Sequence, residues 1–151
     1  MANNIEILLR FYTSIGLDPS DFDLELLSCV RNKDKDNEVQ FRFRKASPWT
    51  IEQYEEFSKA ISSLSYPATF EFSYLTYPSP TEIVDFFKAW HQSLFHLPFD
   101  GEVSATKKEV NFIFASDEDL AQNQYRLDEF ACFLQFLNYS FKVTGSVQEV
   151  S

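Results

Sequence analysis

The sequence predicts a mixed α/β (α+β) chain of two or three layers, on three kinds of observation. Short stretches alternate apolar and polar residues with a period of two, as half-buried strands do. Between them lie longer stretches whose apolar residues recur at helical spacing. The junctions carry capping and turn residues in the order that helix starts and stops prefer.

Ile5, Leu8, Leu9, Tyr12 and Ile15 define a first helix, with Gly16 placed for a left-handed C-cap. A turn at Asp18 to Asp21 leads to Leu24–Val30, read as a strand. After the polar loop Arg31 to Asn37, Val39, Phe41 and Phe43 alternate with Gln40, Arg42 and Arg44, giving one buried and one basic face. Thr50 and Gln53 form a capping box ahead of Ile51, Tyr54, Phe57, Ile61 and Leu64, so a second helix is expected to reach about Leu64. Phe70, Phe72 and Tyr74 alternate as the next strand. Ser79, Pro80 and Glu82 open a third helix that turns Ile83, Phe86, Phe87, Trp90 and Leu94 inward and ends before Pro98. Val103 and Ala105 form a short strand, and Val110, Phe112 and Phe114 alternate in a longer one. Ser116 caps a fourth helix with Asp117, Glu118 and Asp119 in its first turn and Leu120, Leu127, Ala131 and Leu134 on its core face. Tyr139, Phe141 and Val143 close the chain as a strand. The order is α-β-β-α-β-α-β-α-β, no internal repeat is visible, and strands separated by helices imply a mixed sheet.

At 151 residues the expectation is one domain over 1–145, with 146–151 as a linker stub towards a longer chain, because a second core would leave each half marginal. Hydrophobic residues make up 44% and aromatics 17%, enough apolar surface to offset chain entropy and exclude a disordered segment. The three glycines, Gly16, Gly101 and Gly145, leave no phosphate-cradling loop. A formal charge of -10 repels a phosphate backbone at long range. Cys29 and Cys132 are isolated thiols, each read as a small buried hydrophobe. The N-terminus has no signal-peptide pattern and no run is apolar enough for a membrane span, so a cytoplasmic location is expected.

Chemistry-bearing motifs are not found. His91 and His96, five apart, do not share a helical face and are read as surface or helix-terminal residues. Asp34 and Asp36 lack the glycine and distant Glu of an EF-hand, and Asp117 to Asp119 sit where helix starts favour acids. No catalytic, cofactor-binding or metal-ligating residue is therefore assigned, and no cofactor is expected. One block reverses the overall sign: Arg42, Arg44 and Lys45, with Arg31, Lys33 and Lys35, gather six of the 13 basic residues into fifteen positions. That block is either a stripe for an acidic partner or phosphate, or a strand face charged to blunt edge pairing. Loop aromatics at Trp49, Tyr66, Tyr74, Tyr77 and Phe99 are read as core or as anchors for a protein partner.

VQFRFRKASPWTIEQYEEFSKAI at 39–61, FEFSYL at 70–75, the Trp90 helix and EVNFIFASDEDLAQNQY at 109–125 resemble, in element order and spacing over about 22–145, the N-terminal region of the PolC-type DNA polymerase III alpha subunit. The resemblance implies a KH-like α/β fold similar to the polymerase-binding domain of the clamp-loader tau subunit, without the KH nucleic-acid loop; no GxxG occurs here. It further implies that the polymerase and proofreading exonuclease sites of the parent chain lie elsewhere; the role of this region is not set by the resemblance and is read as a non-catalytic protein-interaction module of a replicative DNA polymerase whose partners are replisome proteins. The alternative is a degenerate KH-like single-stranded nucleic-acid binder using Arg42, Arg44 and Lys45.

Overall fold

A computed structural model describes residues 3–97, 99 and 101–148. Its elements are α1 (Asn4–Ile15), a 3₁₀ turn (Pro19–Asp21), β1 (Leu24–Asn32), β2 (Glu38–Lys45), α2 (Ile51–Ile61), β3 (Ala68–Tyr74), α3 (Pro80–Phe95), β4 (Glu102–Ala105), β5 (Glu109–Phe114), α4 (Asp117–Phe136) and β6 (Lys142–Val147). The mixed α+β class holds, but the strands form two three-stranded mixed sheets, β1-β2-β3 and β4-β5-β6, where one was expected. The chain divides into two compact units, Met1–Tyr77 and Pro78–Ser151, against the single domain expected over 1–145.

Both units run α-β-β-α-β, and both build their sheet the same way. The hairpin pairs antiparallel, β1 with β2 and β4 with β5, and the strand after the second helix returns parallel, β3 on β2 and β6 on β5. This duplication was invisible in the sequence because the copies are unequal: α2 has 11 residues and α4 has 20, while β1 has 9 and β4 has 4.

The capping signals are realised. Gly16 takes the left-handed conformation (φ 74°) and closes α1, and Thr50/Gln53 and Ser79/Glu82 form reciprocal capping boxes on α2 and α3. Ser116 accepts from the Asp119 N–H at the start of α4. The β1–β2 hairpin ends in Asp36 and Asn37, both at positive φ, with the Glu38 N–H donating to the Lys35 carbonyl at 2.9 Å, a tight turn whose twist suits the flanking strands.

In the first unit, alternation drives Phe41, Phe43 and Phe72 inward. Phe11 of α1 lies over Phe41 with ring centroids 4.8 Å apart, and Phe57 of α2 meets Phe70 and Phe72 at 5.6 and 5.9 Å, so both helices cover the same sheet face. In the second unit, Phe87 of α3 and Phe130 of α4 converge 4.9 Å apart, and Phe87 lies 4.6 Å from Phe112 of β5. Each core is thus a cluster of aromatic rings on one side of a small sheet, stacked along the sheet at Phe41, Phe43, Phe70 and Phe72 and edge-to-face where Phe57 and Phe87 meet it.

Several expectations are corrected. α2 stops at Ile61, short of Leu64. Leu94 is 51% exposed, and the buried positions of α3 are Ile83, Phe87, Trp90 and His91. Within α4, Phe130 and Phe133 are buried with Leu127 and Leu134, whereas Leu120 and Ala131 are half-buried. The closing strand lies at Lys142–Val147, because α4 runs to Phe136 and Asn138 turns left-handed at φ 59°, the Tyr139 N–H donating back to the Leu134 carbonyl. The inward positions of β6 are Val143, Gly145 and Val147, paired with Val110, Phe112 and Phe114. Gly145 lets the leucines of α4 approach closely: an added Cβ would fall 2.6 Å from Leu120 Cδ1 and 2.9 Å from Leu127 Cδ1, and those side chains would have to shift. Ser146 and Val147, expected in a linker stub, belong to β6. Pro98 and residues 149–151 lie outside the described residues.

Candidate functional site

The basic block of the first unit does not assemble as a stripe. Arg42 and Arg44 do lie outward on β2, but Arg42 pairs with Glu71 of β3 at 3.4 Å and Arg44 with Glu25 of β1 at 2.6 Å, so their charges are matched across the sheet. Lys45 shares the parity of Phe41 and Phe43 and is fully buried. Its Nζ donates to Asp23 Oδ1 at 2.5 Å and to the Ser47 carbonyl at 3.0 Å, and lies 5.3 Å from the Trp49 ring centroid. The expectation that Lys45 presents charge on an outer surface is therefore overturned by the pleat.

The two partners of that pair respond differently because their surroundings differ: the Lys45 side chain is 0% exposed and that of Asp23 is 35% exposed. Burial pulls the ammonium below its ordinary value despite Asp23. For Asp23 burial acts upward, but hydrogen bonds from Lys45 and Ser47 and the nearby positive charge outweigh it and hold the carboxyl below the usual range. This is a strut between β2 and the segment entering β1, and its chemistry is structural. Arg31, Lys33 and Lys35 are exposed around the hairpin end and make no ion pair among the described residues, yet Asp34, Asp36 and Glu38 are interleaved with them. No net positive patch results.

The other singled-out groups are also placed. His91 is buried, not superficial, with Nδ1 3.0 Å from the Leu97 carbonyl and its ring between Phe95 and Phe99 (4.8 and 5.4 Å). His96 caps α3 at φ 58°. Cys132 is exposed, against expectation, and Cys29 is half-buried, with burial pushing its thiol up. Trp49 and Tyr74 are core residues, while Tyr66 and Tyr77 are 36% and 54% exposed. Among the described residues no group of three or more His, Cys, Asp or Glu is placed to hold a metal ion.

A concave feature among the described residues of the second unit was not foreseen. It is lined by the apolar Phe99, Ile113, Phe114 and Ala115, by Asp119, Gln122, Asn123 and Arg126 of α4, and by Gly101, Glu102 and Gln148. The cleft measures about 470 Å³, within the range of small-ligand and peptide-anchor sites. α4 makes this possible by being longer than the sheet needs. Its second half, from Leu127, is rich in core residues, whereas Asp119, Gln122, Asn123 and Arg126 recur at helical spacing in the first half and share a side.

Arg126 is held before any ligand arrives. Its guanidinium carbon lies 4.7 Å from the Phe95 ring centroid and 5.3 Å from that of Tyr125. Nε donates to the Tyr125 hydroxyl at 2.9 Å and Nη1 to Asn123 Oδ1 at 2.7 Å. Asn123 is fixed in turn, its Nδ2 donating to the Asp119 carbonyl at 2.7 Å. No carboxylate pairs with Arg126 among the described residues. Among the described residues two of its five N–H donors are engaged, at Nε and Nη1, which leaves one N–H of Nη1 and both of Nη2 for an incoming acceptor.

No family model, no curated protein and no solved structure matches this chain. The reading of its function rests on the geometry just described and on the sequence patterns. No helix among the described residues is long and apolar enough to cross a membrane.

Proposed function

We propose that the chain is a non-catalytic protein-interaction module, and that it serves as the N-terminal interaction domain of a PolC-type replicative DNA polymerase, docking a replisome protein. The observation that carries the first half is the cleft of the second unit. It brings together apolar side chains, amides, carboxylates and one guanidinium held by its neighbours, the kinds of group that recognition sites combine. Among the described residues no hydroxyl, thiol or imidazole group lines it. The second half is supported by the sequence blocks at 39–61, 70–75 and 109–125, and by their spacing.

The alternative, single-stranded nucleic-acid binding through Arg42, Arg44 and Lys45, has less support, since Arg42 and Arg44 each face a carboxylate and Lys45 is buried. Isothermal titration of the purified chain with clamp-loader and other replisome subunits from the same source tests the proposal. A complex with one subunit, weakened little between 50 and 200 mM salt, is the expected result. Silence across the whole set overturns the partner class, as does tighter binding to single-stranded DNA that collapses over the same salt range.

A further inference from the structure

From the same cleft we infer the chemistry of what it holds: the C-terminal carboxylate of a peptide that ends in an apolar residue, with Arg126 as the anchor. The inference rests on the interaction-module reading and specifies its contact.

A guanidinium with its Nη1/Nη2 end available presents two parallel donors spaced for the two oxygens of a carboxylate or phosphate. Ordinarily such an arginine in a folded protein is taken by a neighbouring acid. Here the neighbours that fix it are neutral, Tyr125 and Asn123, and its flat face rests on Phe95. The rotamer entropy that an exposed arginine loses on binding has already been lost on folding, so capture of an anion costs less. Neutral positioning partners also leave its charge uncompensated.

The rest of the wall selects among anions. Asp119 and Glu102 line the cleft and make no ion pair among the described residues. They oppose a dianionic phosphate and a ligand with several charges, in a chain already at -10. A terminal carboxylate brings a single negative charge, and the amide N–H groups that precede it are donors suited to these two carboxylates. Gln122 and Gln148 add side-chain amides able to meet backbone groups of an extended segment. Phe99, Ile113, Phe114 and Ala115 supply the apolar part of the lining, against which a last side chain packs. At about 470 Å³ the cleft takes more than one residue. C-terminal carboxylate capture of this kind is an established way for a domain to read a partner's end.

The test compares four probes by nitrogen-15 NMR titration of the whole chain: acetyl-Gly-Gly-Phe with a free carboxylate, its carboxamide, acetyl-phenylalanine alone, and inorganic phosphate. The free-acid tripeptide is expected to shift the amides of residues 113–126 and 148. The carboxamide, acetyl-phenylalanine and phosphate are expected to bind at least tenfold more weakly. Arg126→Gln is expected to abolish the difference between acid and amide while preserving the dispersion of the spectrum. Asn123→Ala, which frees the guanidinium without removing it, is expected to weaken the acid severalfold. Equal binding of acid and amide, equal binding of phosphate, acetyl-phenylalanine as tight as the tripeptide, shifts confined to other residues, or an acid–amide difference that survives Arg126→Gln each overturn the inference. A replisome subunit that binds equally well after Arg126→Gln sinks the carboxylate anchor and leaves the interaction-module reading standing. Tight capture of the free-acid tripeptide alongside indifference to every replisome subunit sinks the choice of partner instead.

Discussion

The two units share one chain path and put it to different uses. In the first, the hairpin arms are long, 9 and 8 residues, and α2 is no longer than needed to cover them. Its outward charges are matched, Arg42 with Glu71 and Arg44 with Glu25, and its buried Lys45 is saturated by Asp23 and Ser47. In the second, the hairpin shrinks to 4 and 6 residues while α4 grows to 20, and the surplus polar half of that helix walls a cleft with an unmatched guanidinium. The lesson is that a repeated scaffold acquires a recognition site where one element outgrows its sheet.

The largest effect that could break this comparison comes from the core. Phe57 and Phe130 are both fully buried on the helix that follows the hairpin of their unit. Truncating either to Ala is expected to cost about 3–5 kcal/mol. If the units are separate cooperative blocks, native-state hydrogen exchange will show Phe57→Ala releasing the amides of β1–β3 alone and Phe130→Ala those of β4–β6 alone. Release of both sheets by either change would mean that the duplication is one of topology and not of stability.

A smaller effect sharpens the contrast in electrostatics. Asp23 is held below the ordinary carboxyl range, so its contribution is complete above about pH 4 and is lost as acid passes through its depressed folded-state value. Urea midpoints followed from pH 6 to pH 2 should fall in the first unit, and Asp23→Asn should flatten that part of the curve while lowering the midpoint at pH 6. An unchanged pH profile in Asp23→Asn would remove the strut from the account.

The smallest effect has the opposite sign. The Tyr12 hydroxyl is buried and has no hydrogen-bond partner among the described residues, and burial, reinforced by Asp23, keeps the phenol well above its usual range. Removing it with Tyr12→Phe deletes an unsatisfied group without creating a cavity, and should raise stability by about 1 kcal/mol. A loss in thermal midpoint would show that the hydroxyl is bonded in solution.

Much of the fold was legible because its signals are local. Alternation in Val39–Phe43 and Val110–Phe114, and the boxes at Thr50/Gln53 and Ser79/Glu82, each depend on residues within a few positions. The closing strand was misplaced because one of its inward positions is Gly145, which a hydrophobic pattern passes over and which only the approach of Leu120 and Leu127 explains. Lys45 was legible in principle: two residues beyond Phe43, it follows the buried parity, and its charge concealed this. The cleft was less so. Asn123 and Arg126 are visible as a helical pair, but Phe95 comes from another helix and Phe99 from a connection, and nothing in their spacing announces that they meet α4.

Among the described residues every strand pairing closes inside its own unit, each parallel partner being reached across a single helix. A nascent polypeptide can therefore complete its first sheet once Tyr74 has cleared the ribosome, before any residue of the second sheet is available to compete for its edges. Synthesis in that order keeps apart two sequences that share a strand plan, and spares the chain the mispairing to which duplicated architectures are prone.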